Sequence, residues 1–222
     1  MEKMNEFFAR RIGEYEEHMI RNVNGCREGY FRLAAALPGG MRSLLDLGCG
    51  TGLELDAIFE RFPRLAVTGI DLTAAMLDRL REKHGDKHIH LICGDYFQED
   101  LGKGYNAAVS FQSLHHFAPQ DKLTLYRRIF QALQPGGLYL ECDYMAADQQ
   151  EEAFYFGQRE RLLREAGQGE GLYHYDTPCT PKHQMKLLAS AGFCSLELVW
   201  RQGNTVLLRA EKPGGANDLV NQ

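Results

Sequence analysis

Apolar positions in the first part of the chain recur at helical spacing. Phe7, Phe8, Ile12, Tyr15 and Met19 share one face, Asn22, Asn24 and Gly25 interrupt it, and Tyr30, Phe31, Leu33, Ala34 and Leu37 resume it. Two helices are therefore predicted between Asn5 and Leu37, stopped by Pro38-Gly39-Gly40. From Ser43 short apolar runs alternate with helical stretches. Strands are predicted over Ser43–Leu47, Ala66–Asp71, His88–Cys93, Asn106–Phe111 and Leu138–Cys142. Helices are predicted over Leu53–Phe62, from a Thr73 cap to His84, and over Gln120–Leu133, the last closed by Pro135-Gly136-Gly137. Alternation of this kind implies parallel strands joined by crossover helices.

After Asp143 the rhythm breaks. A charged helix over Ala147–Ala166 is followed by a glycine-, tyrosine- and proline-rich loop over Gln168–Pro181. Thr180 starts another helix with Pro181 at its first position, running to Ala191. Two strand-like runs, Cys194–Arg201 and Thr205–Glu211, flank a Gln202-Gly203-Asn204 turn, and the tail from Pro213 is expected to fray. The chain then divides into an N-terminal helical lid (1–40), a core (41–143), a cover insertion (144–181), a closing helix and hairpin (182–212) and a tail (213–222).

Composition narrows the picture. A chain of 222 residues suits one α/β domain whose core needs no disulfide or metal staple. Six cysteines contain no C-x-x-C pair, and Cys49, Cys93 and Cys142 lie in or beside apolar runs, where a thiol acts as a small hydrophobe. The eight histidines have no zinc spacing to a cysteine pair. No run of about 18 apolar residues is present, and the charged N-terminus lacks a signal-peptide core. A cytoplasmic protein without a membrane partner is expected. The net charge of −5 and the mixed signs of its charge clusters give no reason to expect a nucleic-acid partner.

The candidate chemistry begins at Leu44-Leu45-Asp46-Leu47-Gly48-Cys49-Gly50-Thr51-Gly52, a strand that delivers glycines to the start of a helix. Glycine there lets the backbone turn sharply and a ligand approach closely. Asp71 ends the second strand about twenty residues on, where a carboxylate can accept from ribose hydroxyls. Asp95 follows the third strand. All three features fall at carboxyl ends of strands, where open parallel sheets gather their sites. A dinucleotide-binding loop would space its glycines G-x-G-x-x-G. Here the third comes one residue earlier, and Asp46 suits a cationic ligand better than a diphosphate.

With these residues the chain resembles the class I S-adenosylmethionine-dependent methyltransferases. Leu45–Gly52 matches that family's first motif, Gly69–Leu77 the segment around its ribose-binding acid, Cys93–Phe97 its adenine-contacting motif, and Leu133–Leu138 the turn before its fifth strand. The resemblance implies a Rossmann-like α/β fold: a seven-stranded, mostly parallel sheet with helices on both faces. Its last strand is antiparallel and lies between the fifth and sixth. It also implies S-adenosylmethionine as cofactor and S-adenosylhomocysteine as product. By position, Gly48, Cys49, Gly50 and Gly52 would form the loop beside the methionine part, with Asp46 behind it. Asp71 would hold the ribose, and Leu72 and Met76 would flank the adenine. Asp95 and the Tyr96 backbone would read the adenine edge. Phe111 and Gln112 would lie near the amino group and sulfur.

Methyl transfer is a direct displacement that needs alignment and exclusion of water, and a base only if the acceptor must lose a proton. His115 and His116, after the fourth strand, are candidate catalytic groups. The blander reading is that they cap the following helix or contact neighbouring backbone, His116 more so than His115. Gln112 and Ser113 stand where a metal-dependent mechanism would want carboxylates, so no metal is expected. Tyr15, with Arg11 as charge partner, is expected as a lid over the cofactor. Tyr30, Tyr173, His174 and Asp176 are expected to touch the acceptor. The acceptor is expected to be a small molecule and the protein a monomer or homodimer. A methyltransferase acting on RNA or protein, or a binding module without turnover, would share the cofactor motifs. A nucleotide-dependent oxidoreductase is disfavoured by the glycine spacing.

Overall fold

The computed structural model describes residues 2–166 and 172–214. The predicted loop from Gln168 and the tail beyond Gly214 therefore lie partly or wholly outside the described residues. Two helices open the chain, α1 (Met4–Arg21) and α2 (Cys26–Ala36). There follow β1 (Ser43–Leu47), α3 (Leu53–Arg61), β2 (Ala66–Asp71), α4 (Ala74–His84), β3 (Ile89–Cys93) and β4 (Tyr105–Phe111). A 3-10 turn at Leu114–His116 leads into α5 (Pro119–Ala132) and β5 (Leu133–Tyr144). The closing elements are α6 (Gln149–Ala166), α7 (Pro181–Ser190), β6 (Cys194–Gln202) and β7 (Thr205–Glu211).

All seven strands form one sheet in the order β3-β2-β1-β4-β5-β7-β6. β1 to β5 pair in parallel, and β7 runs antiparallel between β5 and β6. This is the Rossmann-like arrangement expected from the resemblance, with β7 filling the predicted gap. Reversal of strand order around β1 and β4 opens a crevice at their carboxyl ends.

Both faces of the sheet are covered, so its central strands are buried along most of their length. Side chains alternate between two cores. Leu44, Val109 and Leu140 pack with Leu33, Leu37 and Ile58 from α2 and α3. Leu45, Ala108 and Tyr139 pack with Leu125, Ile129 and Leu188 from α5 and α7. α2 seats closely through Gly29: a Cβ there would lie 3.1 Å from the Phe111 ring and 3.2 Å from the Cys142 sulfur.

Most differences from the predicted elements are small. Thr73 occupies the cap position of α4, but its side chain caps nothing; its carbonyl accepts from Met76 N–H at 3.0 Å. β5 begins at Leu133 rather than Leu138, because Leu133 pairs with Tyr105 across a bulge, and Gly136 takes a positive φ of 75° within it. Cys93 is exposed rather than packed as a hydrophobe. The N-terminus and the cover segment meet backbone to backbone. Lys3 and Tyr173 form an isolated antiparallel bridge, Met4 N–H donates to Leu172 O at 3.0 Å, and His174 N–H to Glu2 O at 3.1 Å. No helix among the described residues is long and apolar enough to cross a membrane.

Candidate active site

The tips of β1, β2 and β3 shape the floor of a first cavity, about 580 Å³ of empty space including its mouth. Gly48 and Gly50 turn the chain after β1 with φ of 73° and 48°, values that L side chains rarely adopt. A Cβ at Gly48 would lie 2.1 Å from Ser113 Oγ, so that turn requires glycine twice over. Asp71 locks the loop to β2: its Oδ2 accepts Gly50 N–H at 2.9 Å and its Oδ1 accepts Thr73 N–H at 2.8 Å. Burial raises the Asp71 carboxyl above its usual range, and these two N–H groups pull it part of the way back. Asp95 organises the turn after β3, accepting Phe97 N–H at 2.9 Å. Arg128 on α5 donates to Tyr96 O at 2.5 Å and also to Glu99 O, holding that turn from behind.

Gly48, Gly50, Asp71, Leu72, Met76, Asp95, Tyr96, Gln112, His116 and Tyr15 line this first cavity. Met4, Phe8, Thr73, Gly94, Ser113, Phe117 and Leu172, not foreseen from the sequence, complete it. Other expected residues lie elsewhere. Cys49 and Gly52 turn away into the core, where a Cβ at Gly52 would lie 3.0 Å from Leu80. Phe111 does not reach the cavity; its ring stacks on Tyr30 at 4.2 Å, and both belong to the core. Tyr30 is therefore a packing residue of α2 and lines neither cavity described here, contrary to its expected contact with the acceptor.

Asp46 lies beneath the loop, fully buried and outside the cavity wall. It abuts Glu54 on α3, a second buried acid that nothing in the sequence of that helix marks out. Burial pushes the Asp46 carboxyl up to about 7 and raises that of Glu54 as well. Apart from the contact between the two acids, both Asp46 oxygens, Glu54 Oε1 and Thr51 Oγ1 are buried and no donor reaches them. Two facing carboxyls become compatible when one carries the proton they share.

A second, larger cavity of about 1460 Å³, open mouth included, adjoins the first. α1 supplies Phe7, Phe8, Arg11, Glu14 and Tyr15 to its wall, the cover segment His174 and Asp176, and the β6–β7 hairpin Asn204 and Thr205. Arg11 belongs to this cavity and not to the first: its guanidinium sits 3.7 Å over the Phe7 ring and 3.6 Å from Glu2. Tyr173 pairs with Lys3 and lines neither cavity, whereas His174 stacks on Phe7 at 3.4 Å. Phe8, Tyr15, Gln112 and His116 face both cavities and form the wall between them.

The two histidines differ in role. His115 Nδ1 lies 2.5 Å from Asp143 Oδ1 at the end of β5, and Asp143 Oδ2 accepts Leu114 N–H at 2.9 Å. Burial works against charge on both partners, but their mutual attraction wins: His115 titrates above its usual value and Asp143 below it. His116 is held low by burial and by the neighbouring His115. Asp176 is brought down to about 2 because its bond to His116 and the charge of His115 outweigh its burial. Asp176 Oδ1 lies 3.3 Å from His116 Nδ1 and 3.7 Å from His115 Nε2, so the three side chains could hold a metal ion. Inspection of the residues after β4 could not find this set, because its carboxylate arrives from the cover segment. Thr177 fixes that segment, its N–H and Oγ1 donating to His115 O at 2.6 and 3.0 Å.

Residues 44–137 match the family model described as a methyltransferase domain. The malonyl-[acyl-carrier protein] O-methyltransferase of Priestia megaterium is 29% identical over 44% of this chain, and the chain spans 35% of that relative's length. The carboxy-S-adenosyl-L-methionine synthase of Wolinella succinogenes is 27% identical over 96% of this chain and 95% of its own. Among solved structures, the complex of DhpI with SAH superposes with a TM-score of 0.68, at 18% identity and 95% coverage of both chains.

Proposed function

We infer that this chain, which belongs to the class I S-adenosylmethionine-dependent methyltransferases, holds the methyl donor in the first cavity and passes the methyl group to a small molecule in the second. The observation that carries this reading is the shared wall of Phe8, Tyr15, Gln112 and His116, across which two ligands would meet. S-adenosylmethionine, when bound, supplies a methyl group on a positively charged sulfur.

The first cavity suits such a ligand. Asp71 and Asp95 line it, and no lysine or arginine does among the described residues. A diphosphate would meet two carboxylates and no cation. The buried acids Asp46 and Glu54 lie under the glycine loop, their charge reduced by burial. In this reading Gly48 and Gly50 let the donor's methionine part approach the backbone, and Asp71 receives the ribose. Leu72 and Met76 sandwich the adenine, and Asp95 with the Tyr96 backbone takes its edge. Tyr15 and Gln112 stand at the methionine end, beside the acceptor.

α1 and residues 172–176 wall part of the second cavity, and this cover favours a small acceptor over RNA or a protein side chain. His115 is the member of the pair that serves the acceptor. Its bond to Asp143 occupies Nδ1 and leaves Nε2 toward the cavity. His116, on the shared wall, helps align the two ligands and exclude water.

The test is turnover of a methyl-labelled donor in a metabolite extract. We expect label on a small molecule, with one S-adenosylhomocysteine formed per transfer. Label on RNA or protein, or none anywhere, would overturn the acceptor reading. A donor that gains a carboxyl group would instead give this chain the activity named for its Wolinella relative. Thermal stabilisation by NAD and not by S-adenosylhomocysteine would remove the donor reading itself.

A further inference from the structure

We propose that His115 Nε2, His116 Nδ1 and a carboxylate oxygen of Asp176 form a binding site for a divalent transition-metal ion such as Zn²⁺ or Fe²⁺, on the wall of the second cavity. The site does not depend on the methyl-transfer reading, because its evidence is the ligand geometry.

The three ligand atoms lie within 4.8 Å of one another. Metal–ligand bonds of about 2.0–2.2 Å place neighbouring ligand atoms roughly 3–3.5 Å apart in tetrahedral or octahedral geometry. The His116–Asp176 separation of 3.3 Å falls in that range, and the His115–Asp176 separation of 3.7 Å is a few tenths beyond it. Asp176 is partly exposed and can rotate to close the difference, while both histidines are buried.

The surroundings add a second, independent argument. A metal-bound imidazole usually donates its other N–H to a carboxylate, which fixes the tautomer and aims the lone pair. Asp143 stands in that position behind His115, itself anchored by the N–H groups of Leu114 and Tyr144 at 2.9 and 2.8 Å. Thr177 pins the segment that carries Asp176 to the His115 carbonyl. Three protein ligands leave coordination positions open toward the cavity, where water or an oxygen of the acceptor would complete the shell. Two imidazoles and one carboxylate select a borderline transition metal over Mg²⁺ or Ca²⁺, which prefer oxygen.

Glu152, Cys179 and His183 form another cluster of metal-ligating groups, paired more tightly than the first, where His116 Nδ1 lies 3.3 Å from both Asp176 Oδ1 and the Tyr175 carbonyl and must give up the latter to take a metal. Glu152 Oε1 is paired with His183 Nδ1 at 2.7 Å and Oε2 with Thr180 N–H at 2.6 Å. Burial pushes the Cys179 thiol up to about 11, away from the thiolate a metal needs. That cluster is a staple between α6 and α7, and it supplies an internal control.

The experiment is calorimetric titration of tag-free, chelator-treated full-length protein with Zn²⁺, with Fe²⁺ under anaerobic conditions, and with Mg²⁺. One equivalent of Zn²⁺ or Fe²⁺ is expected to bind with a Kd in the micromolar range or tighter, and Mg²⁺ at least 100-fold more weakly. Asp176→Ala should weaken transition-metal binding at least tenfold while the metal-free variant still unfolds cooperatively, and His183→Ala should leave binding unaltered. Binding weaker than about 1 mM, preference for Mg²⁺, or an affinity lost in His183→Ala but kept in Asp176→Ala would each overturn the proposal. If Asp176→Ala fails to fold, Asp176→Asn makes the same comparison with the side-chain volume retained.

Discussion

The first cavity is walled mainly by the ends of β1 to β4 and the turns that follow them, the second by α1, the cover segment and a hairpin. Around the first, backbone does most of the holding: glycine turns, Asp71 receiving two backbone N–H groups, and Asp95 receiving a third. Around the second, side chains stack and pair across distant parts of the chain, as Phe7 does with His174 and His115 with Asp143. A site made by backbone geometry admits one ligand shape. A site made by side chains on separate covers can change its ligand while the sheet stays as it is.

The sharpest way to break this contrast is Gly48→Ala. It puts a Cβ against Ser113 Oγ at a positive φ, and should cost at least about 2 kcal/mol of stability and abolish donor binding. Denaturant unfolding and calorimetry with S-adenosylhomocysteine measure the two losses; unchanged donor affinity would show that the loop is not the donor's seat. His115→Gln should act on the other side alone, lowering kcat about 100-fold with the donor Kd unaltered. Asp71→Ala is the mirror case: a donor Kd raised by roughly 30-fold, about 2 kcal/mol, with little change in acceptor KM at saturating donor.

Asp46→Asn separates stability from binding within the first half. The folded-state pKa of Asp46 is raised to about 7, so the fold keeps its proton over a range where the unfolded chain has lost it. Wild-type stability attributable to this group therefore falls as pH rises from about 4 to about 7 and stays low above that. The variant should gain on the order of 1–2 kcal/mol over wild type at pH 8, with the gain vanishing near pH 4, while donor affinity drops. An equal gain at both pH values would show that the buried acid pair is not its cause. The smallest effect belongs to His174→Ala, a few-fold rise in acceptor KM with donor Kd and kcat nearly constant.

The sequence made the first half far more legible than the second. β1, β2 and β7 have the predicted bounds, because short apolar runs and the turn residues that punctuate them are local signals. Asp71 and Asp95 were found by their place after strands. What escaped was contact between elements. Asp143 lies one residue before the end of β5, and nothing near it in sequence points to His115 across 28 positions. Glu54 and Lys122 lie on helices whose charged residues ordinarily face water, yet both are buried. Tyr30 and Phe111 carry the residue types of a binding site and serve the core instead. Composition cannot distinguish an aromatic that meets a ligand from one that meets another aromatic.

The pairing of Glu2, Lys3 and Met4 with Leu172, Tyr173 and His174 bears on the order of events in a catalytic cycle. Met4 and Leu172 stand over the first cavity, while Phe7 and His174 stand over the second. Because backbone bonds join the two covers, a shift of either one carries the other with it. In a catalytic cycle the walls of both ligand cavities would therefore be reshaped together and not one after the other.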